Sequence, residues 1–582
     1  MAKLKRILAL LGALALSFSA LPVQASNVVD VRFVEGTDPA AHMFNPLAVN
    51  EFNLTMPQST INGLDGSTNY WGDEGPYLPA TLAGRINGVP FGPYAVGVHL
   101  KGAWGSWRNI YGKAGFKIKV DFNNKNQTLF GVRKLTLNNM VQDQSSLHET
   151  MAYRLFRAVG VPTARTGYAN VTVNGQNYGL RLNLETFDTT LLKRWGITPT
   201  HIYKGGVPLF PDLWPGQEGN FAVDQGSLTD KSDLTALMAV VGRGNGPNWF
   251  RDMSTVADLE QMTLDWAAEK FTGHWDGYVN NHNNFYLVKR QDGKFIMLPW
   301  GMDQTWNGGL DYWSGSALFS QCLSDSQCMK LYKSAVATVA HTAQELDLPN
   351  MSRAVAGVIN PHILADPKKE FGNEQIPGNQ VPARNFIVGQ ISQALTMVQD
   401  QDTVLRNFGA SGFVPVKPKE VLVVPNSVKS IQLTGSAFSA NSFVTAPVAN
   451  LSTGLNEISL TVTNRRSNTT QNYKVQVKRL SLASKVSTIT FKTGKYTLTP
   501  EAAKVVADAA AAIGDGQFAE LVVRMQRPEK MSLALASSYL RLRSARIEQA
   551  YKAAGLNIEK LKMVLGSVKG KDTLTLTVNY QR

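Results

Sequence analysis

The chain has 582 residues, too many for a single core, so three or four domains are expected. Hydrophobic residues at 43% and aromatic residues at 9% are the proportions of a soluble globular protein. The formal net charge of +14 is spread along the chain and suits acidic partners such as lipid head groups, cell-wall polymers or acidic proteins, or simply a solvated basic surface; no interleaved basic and aromatic run argues for nucleic acid.

The chain opens "MAKLKRILALLGALALSFSALPVQAS". Lys3, Lys5 and Arg6 precede an apolar run that ends in the small-x-small pattern Val23-Gln24-Ala25. That reads as a secretory signal, residues 1–25, expected to be cut after Ala25. The next residue is not Cys, which argues against a lipoprotein, and no other run is long enough to span a bilayer. The mature chain is therefore expected to be exported.

Residues 26–412 read as mixed strands and helices. "GFKIKVDF" alternates, with Phe116, Ile118, Val120 and Phe122 on one face and Lys117, Lys119 and Asp121 on the other. The strand-like "FGVRKLTLNN" follows. In "SSLHETMAYRLFRAVG" the apolar residues have helical spacing, Glu149 lies near their edge and Gly160 stops the helix. "YANVTVNGQNYGLRLNLETFD" is a hairpin turning at Asn174-Gly175 and ending at Glu185. "TLLKRWG" and "DLEQMTLDWAAEKFTG" are helices. The second leads into "GHWDGYVNNHNNFYLV", and a hairpin then ends in "FIMLPWGMDQTW" at Asp303. Cys322 and Cys328 in "QCLSDSQC" lie close together in a loop-like segment, and in an oxidising compartment they are expected to form a local disulfide.

"VPVKPKEV" reads as a linker, and residues 413–482 as a small β-sandwich, because "LNEISLTVTN" and "NYKVQVKR" alternate with no helix between them. Residues 483–582 alternate strand-like and helix-like segments and form a separate α/β unit. The fold class is thus multidomain α+β.

The order of parts in the large domain is a lysine-bearing strand, a helix glutamate, a hairpin, helices, an Asp276 loop, a second hairpin and Asp303. Protein kinases have this order. There a lysine meets nucleotide phosphates and the helix glutamate, one Asp handles the acceptor hydroxyl, and an Asn and a second Asp hold magnesium. Hard oxygen ligands suit that cation.

The region from about Phe44 to Leu310 resembles the CotH family of secreted, kinase-like proteins. "VGVHLKGAWGSW", "GKAGFKIKVDF", the long run from "FGVRKLTLNN" through "NGQNYGL", "HWDGYVNNHNNFYLV" and "MLPWGMDQTW" carry the resemblance. It implies an atypical protein-kinase fold, ATP and magnesium (or manganese) as cofactors, and phosphate transfer to Ser or Thr of a protein substrate whose identity is open. The alternative is an inactive kinase fold serving as an envelope or adhesion scaffold. By resemblance Asp276 is the catalytic-loop aspartate, Asp303 the principal metal ligand and Glu149 the helix glutamate. Asn284 is a metal ligand with Asn281 as its rival. Lys117 is the phosphate lysine, with Lys119 and Lys113 as alternatives. Gly102 and Gly105 in "KGAWGSW" allow a phosphate-covering loop, and Glu185 stands where a hinge meets adenine. Gly301 holds a position that is Asp in many relatives.

Residues 413–482 resemble a cadherin-like β-sandwich, taken as a spacer. Residues 483–582 resemble the OmpA-like C-terminal domain but depart from its peptidoglycan-binding pair. "RMQRPEKM" stands where Thr-Asp is expected and Ser544-Ala545 where Arg-Ala is expected, with Arg543 or Arg546 as substitutes. That resemblance implies the periplasm or cell envelope of a Gram-negative bacterium, with peptidoglycan or another envelope component as a contact.

Overall fold

A computed structural model describes residues 35–66, 75–206, 208–492, 494–513, 517–556 and 558–581. The expected signal segment, 1–25, lies outside the described residues. The chain folds as two compact units, Met1–Ala394 and Leu395–Arg582.

The first unit is built on seven strands: β1 (Val49–Thr55), β2 (Leu78–Ile86), β3 (Val89–Lys101), β4 (Gly115–Lys119), β5 (Lys134–Asn138), β6 (Thr166–Val173) and β7 (Gln176–Glu185). They close into a barrel in the order β1-β2-β3-β4-β5-β7-β6. All neighbours are antiparallel except β1 and β6, whose parallel pairing shuts the ring. Alternation explains the filling: Phe116, Ile118 and Val120 join Phe52, Leu82, Val98 and Leu137 in one buried cluster. The β6–β7 turn has Asn174 and Gly175 both at positive φ, 49° and 78°, as a tight two-residue hairpin turn requires. Helix His148–Val159 crosses from β5 to β6, and Gly160 ends it in the left-handed conformation at φ 95°.

A second sheet has the order β11-β10-β8-β9, with β8 Pro199–Gly205, β9 Ala222–Gln225, β10 Phe285–Arg290 and β11 Phe295–Pro299. Helix Leu259–Thr272 packs against β11. The Asp258 side chain caps its start by accepting from the Gln261 N–H, and Gly273 at φ 67° ends it. Any side chain at Gly273 would strike the Gly308 carbonyl, so the chain can turn there only with glycine. The next residues are the Asp276 loop.

Cys322 and Cys328 are disulfide-bonded, with Cα atoms 5.0 Å apart. Their surroundings are not the loop expected from sequence. Helices Ala317–Ser324 and Ser326–Glu345 are broken only at Asp325, whose carboxylate caps the second helix through the Gln327 and Cys328 N–H groups.

In the second unit, two sheets share one core. Strands Leu405–Ala410, Ser430–Ala437 and Val448–Asn450 form one; Val421–Val424, Thr470–Arg479, Gly454–Asn464 and Ser442–Thr445 form the other. The boundary expected at residue 412 shifts, because Leu405–Ala410 pairs with Ser430–Ala437 and belongs to this sandwich. The expected linker is also pinned: Phe408 and Val416 exchange both backbone hydrogen bonds, at 2.9 and 2.8 Å. Beyond it, a four-stranded sheet carries helices Pro500–Ile513 and Leu533–Ala553. Arg543, considered above as a ligand-binding substitute, is fully buried. It pairs with Asp572, donates to the Lys495 carbonyl at 3.0 Å and lies over the Phe491 ring.

Candidate functional site

Between the barrel and the second sheet of the first unit lies a cavity of about 610 Å³. That volume is in the range of a small-molecule or cofactor site. Its wall includes Asp276, Asn281, Asn284 and Asp303, together with Lys101, Lys117, Lys134 and Lys204.

The Asp276 loop is held from behind. Glu269, buried on helix Leu259–Thr272, accepts the N–H groups of Tyr278 and Val279 at 3.3 and 3.0 Å. Buried His274 reaches across through Nε2 to the Trp300 carbonyl at 3.0 Å, and burial pushes its ring down to about 4, so it is neutral at pH 7. His274 is thus a brace between the loop and the end of the β10–β11 hairpin. On the cavity side, Asp276 Oδ1 accepts from Asn281 Nδ2 at 2.6 Å, while Oδ2 accepts from Asn284 Nδ2 at 2.7 Å and Asn283 Nδ2 at 3.0 Å. Burial raises the Asp276 carboxyl and the three amides work against that rise. Asn281 and Asn284 therefore share one carboxylate, and the sequence rivalry between them is between two residues of one cluster.

The hairpin brings Asp303 back. The Trp300 N–H donates to the Asn284 carbonyl at 2.7 Å, closing the hairpin base. His148 Nδ1 lies 3.0 Å from the Asp303 carbonyl, which ties that segment to the start of the Glu149 helix. Burial is the main force raising the Asp303 carboxyl; Asp143 and Asp276 add to it and Lys101 opposes it.

Glu149 sits behind the cavity wall, fully buried. Its carboxyl is pushed up to about 8, first by burial and then by the Asp303 charge. Lys101 Nζ donates to Asn138 Oδ1 at 3.1 Å, and Asn138 Nδ2 donates to Glu149. An asparagine thus stands between lysine and glutamate, where protein kinases have a direct ion pair.

The remaining sequence candidates separate cleanly. Lys117 and Gly102 line the cavity. Lys113 does not serve it: its ammonium is buried against Asp366 at 2.6 Å and the Leu180 carbonyl at 3.2 Å. Lys119 lies 5.7 Å from the centre of the Tyr77 ring, outside the lining. Glu185 is held by Arg165 at 2.9 Å and Arg194 at 2.7 Å, which depress its carboxyl against the effect of burial. Its neighbours Thr186 and Phe187 line the cavity in its place. Gly105 lies outside the lining; a side-chain carbon there would come within 3.0 Å of Gln142 Nε2.

A family model described as CotH kinase protein matches residues 98–410, just over half of the chain. The chain belongs to the CotH kinase protein family. Inner spore coat protein H of Bacillus subtilis is 22% identical over 264 residues, covering 42% of this chain and 72% of that protein. An inner spore coat protein H-like protein of the same organism is 32% identical over 71 residues, covering 12% of this chain and 23% of the relative. The solved structure of the Helicobacter pylori proinflammatory kinase CtkA matches 48% of this chain and 90% of its own length at 10% identity, with a TM-score of 0.21.

In this chain Gly301 has φ 56°, and a side chain there would come within 2.7 Å of the Asn284 amide. Glycine lets Asn284 lie over the backbone and reach Asp276. Lys101, Asn138, Lys134 and Lys204 escaped the sequence reading as site residues. Two of these strands carry a signal for them: His99 and Lys101 alternate with Val98 and Leu100, and Lys134, Thr136 and Asn138 with Leu135 and Leu137. Alternation puts each polar set on the face opposite the barrel core.

Proposed function

We propose that this chain is an exported protein kinase that uses ATP and magnesium to phosphorylate Ser or Thr of an envelope or secreted protein. The observation that carries the reading is the convergence of Asp276, Asn284 and Asp303 with Lys101 on one cavity wall.

The donor set suits the cofactors. Among the described residues no group of three or more His, Cys, Asp or Glu forms an all-protein metal cage. Magnesium prefers one or two carboxylates completed by phosphate oxygens and water, which Asp303 and the side-chain amide oxygen Oδ1 of Asn284 fit. Bound there with the nucleotide, the ion would neutralise charge on the phosphates during transfer. In this reading Asp276 accepts the proton of the acceptor hydroxyl, a role supported by the Asn281 and Asn284 amides that hold its two oxygens. Lys101, aimed by Asn138, supplies a fixed positive charge for the phosphate chain.

The C-terminal sandwich and α/β region are read as spacer and envelope module, and the periplasm as the location, on their resemblances to cadherin-like and OmpA-like domains. In the α/β region Arg543 is occupied by Asp572, which leaves Arg546 as the substitute for a peptidoglycan contact.

The test is calorimetric titration of ATP with and without magnesium, using wild type and Asp303→Ala. Magnesium-dependent binding that the variant loses is the expected result. A folded wild type that binds no ATP would overturn the reading and leave a kinase-fold scaffold as the account.

A further inference from the structure

One edge of the cavity is formed by the β3–β4 connection, residues 102–114, of which Gly102, Ala103, Trp104 and Ser106 enter the lining. The connection doubles back on itself. Gly102 has φ 129°, and a side-chain carbon there would come within 2.9 Å of the Ser106 carbonyl oxygen and of Trp107 Cα. The Ser106 hydroxyl accepts from the Ala103 N–H at 3.1 Å and donates to the Ala103 carbonyl at 2.9 Å. Trp104 has φ 49°, a backbone conformation that a bulky residue keeps only where its surroundings impose it.

Much of that support comes from far along the chain. Residues 366–370, which follow helix Leu348–Leu364, run beside the same connection and meet it at every second residue. Asp366 accepts from Lys113 Nζ at 2.6 Å, and Lys368 Nζ donates to the Tyr111 carbonyl at 2.7 Å. Glu370 takes Arg108 in a two-pronged pair, with bonds of 2.5 and 2.6 Å to its two oxygens. Asp366 also accepts the Leu180 N–H at 3.0 Å, which fixes the start of the segment to barrel strand β7. The last of the three contacts reaches the cavity loop. The remaining nitrogen of Arg108 donates to the carbonyls of Gly105 and Trp107 at 2.8 and 2.7 Å. One guanidinium therefore holds Glu370 on one side and the loop backbone on the other. A planar fork paired with a carboxylate fixes direction as well as distance.

We infer that Glu370 and Arg108 are positioning residues for the nucleotide, their ion pair latching residues 102–108 in the shape that closes one edge of the cavity. The inference rests on the phosphotransfer reading above and adds to it a residue, Glu370, that lies outside the cavity lining. A loop ordered in advance binds its ligand more tightly than one that must be ordered on binding.

The experiment uses the full chain as wild type, Glu370→Ala, Arg108→Ala and the double variant. Each is measured for thermal unfolding, for hydrogen exchange in the peptide spanning 102–108, and for magnesium-ATP binding by calorimetry. Both side chains are partly exposed, so the unfolding midpoint is expected to stay near that of the wild type. In Glu370→Ala the 102–108 peptide is expected to exchange faster and magnesium-ATP to bind about tenfold more weakly. The double variant is expected to bind no more weakly than Arg108→Ala, because the two residues act as one unit. Wild-type exchange and affinity in Glu370→Ala overturn the latch and leave the kinase reading intact. Losses that add in the double variant also overturn it, since the residues then act separately. A folded wild type that binds no ATP removes the kinase reading and the nucleotide role of the latch with it.

Discussion

Two glutamates are buried in the first unit, one at the end of a barrel strand and one on a helix, and they live in opposite surroundings. Glu185, at the end of β7, meets two guanidinium groups and is held below the usual carboxylate range. Glu149, on the helix after β5, meets one amide and faces Asp303, and is pushed up to about 8. The lysines do not divide the same way: Lys113 pairs with Asp366 at 2.6 Å, yet burial and the Arg181 charge bring its ammonium down to about 8, as burial and the charges of Lys204 and Lys134 do for Lys117. Charges matched to their partners hold the fold together. Groups whose ionised form is disfavoured by burial and like charges, Glu149 and Lys117 among them, lie in or just behind the wall of one cavity.

Variants can pull the two patterns apart. The largest effect belongs to Asp276→Asn: in a phosphotransfer assay on an identified acceptor the rate should fall about 10²–10⁴-fold, the range for a lost general base, with ATP affinity little changed. An unchanged rate would remove Asp276 from the chemistry. On the architectural side, Glu185→Ala leaves buried Arg165 with Asp38 alone and half-buried Arg194 without its carboxylate, and should cost about 3 kcal/mol of stability in denaturant unfolding, the low end of what breaking a buried pair costs.

Glu149 sharpens the comparison through pH. Its folded carboxyl titrates near 8 against 4.5 for the free group, so the folded state holds the proton more tightly. Its contribution to stability is complete below about 4.5 and is lost as pH rises through about 8. Wild type should therefore lose stability from pH 5 to pH 8 relative to Glu149→Gln, which cannot ionise; parallel profiles would contradict the assignment. The smallest effect is expected for Asn138→Ala, which frees Lys101 from its hydrogen bond. Magnesium-ATP affinity should drop about tenfold, in line with one hydrogen bond to a charged group, and Asn138→Gln should recover part of it.

Much of this arrangement was legible in the sequence because it is local. The Asn174-Gly175 turn, the stop at Gly160 and the alternation in "GFKIK" each depend on a few neighbouring residues, and the structure places strands, helix and hairpin accordingly. Asp276 and Asp303 could be singled out because a hairpin of predictable length separates them. The lysines were harder. Strand alternation says which face a lysine takes but not what waits there: Lys113 lies outside any strand and finds Asp366, which is 253 residues away. Glu185 was read as a hinge residue because its partner Arg165 comes from the residue just before the strand opposite and Arg194 from a helix beyond, and neither pairing has a spacing rule. The sandwich boundary was missed for a similar reason, since Leu405–Ala410 pairs across the supposed linker.

The most direct test compares Asp303→Asn with Glu185→Gln, each measured for thermal stability and for magnesium-ATP binding. The account predicts a crossed result: Asp303→Asn keeps or gains stability and loses magnesium-ATP binding, while Glu185→Gln loses stability and, where folded, binds as the wild type does. Wild-type affinity in Asp303→Asn would contradict it.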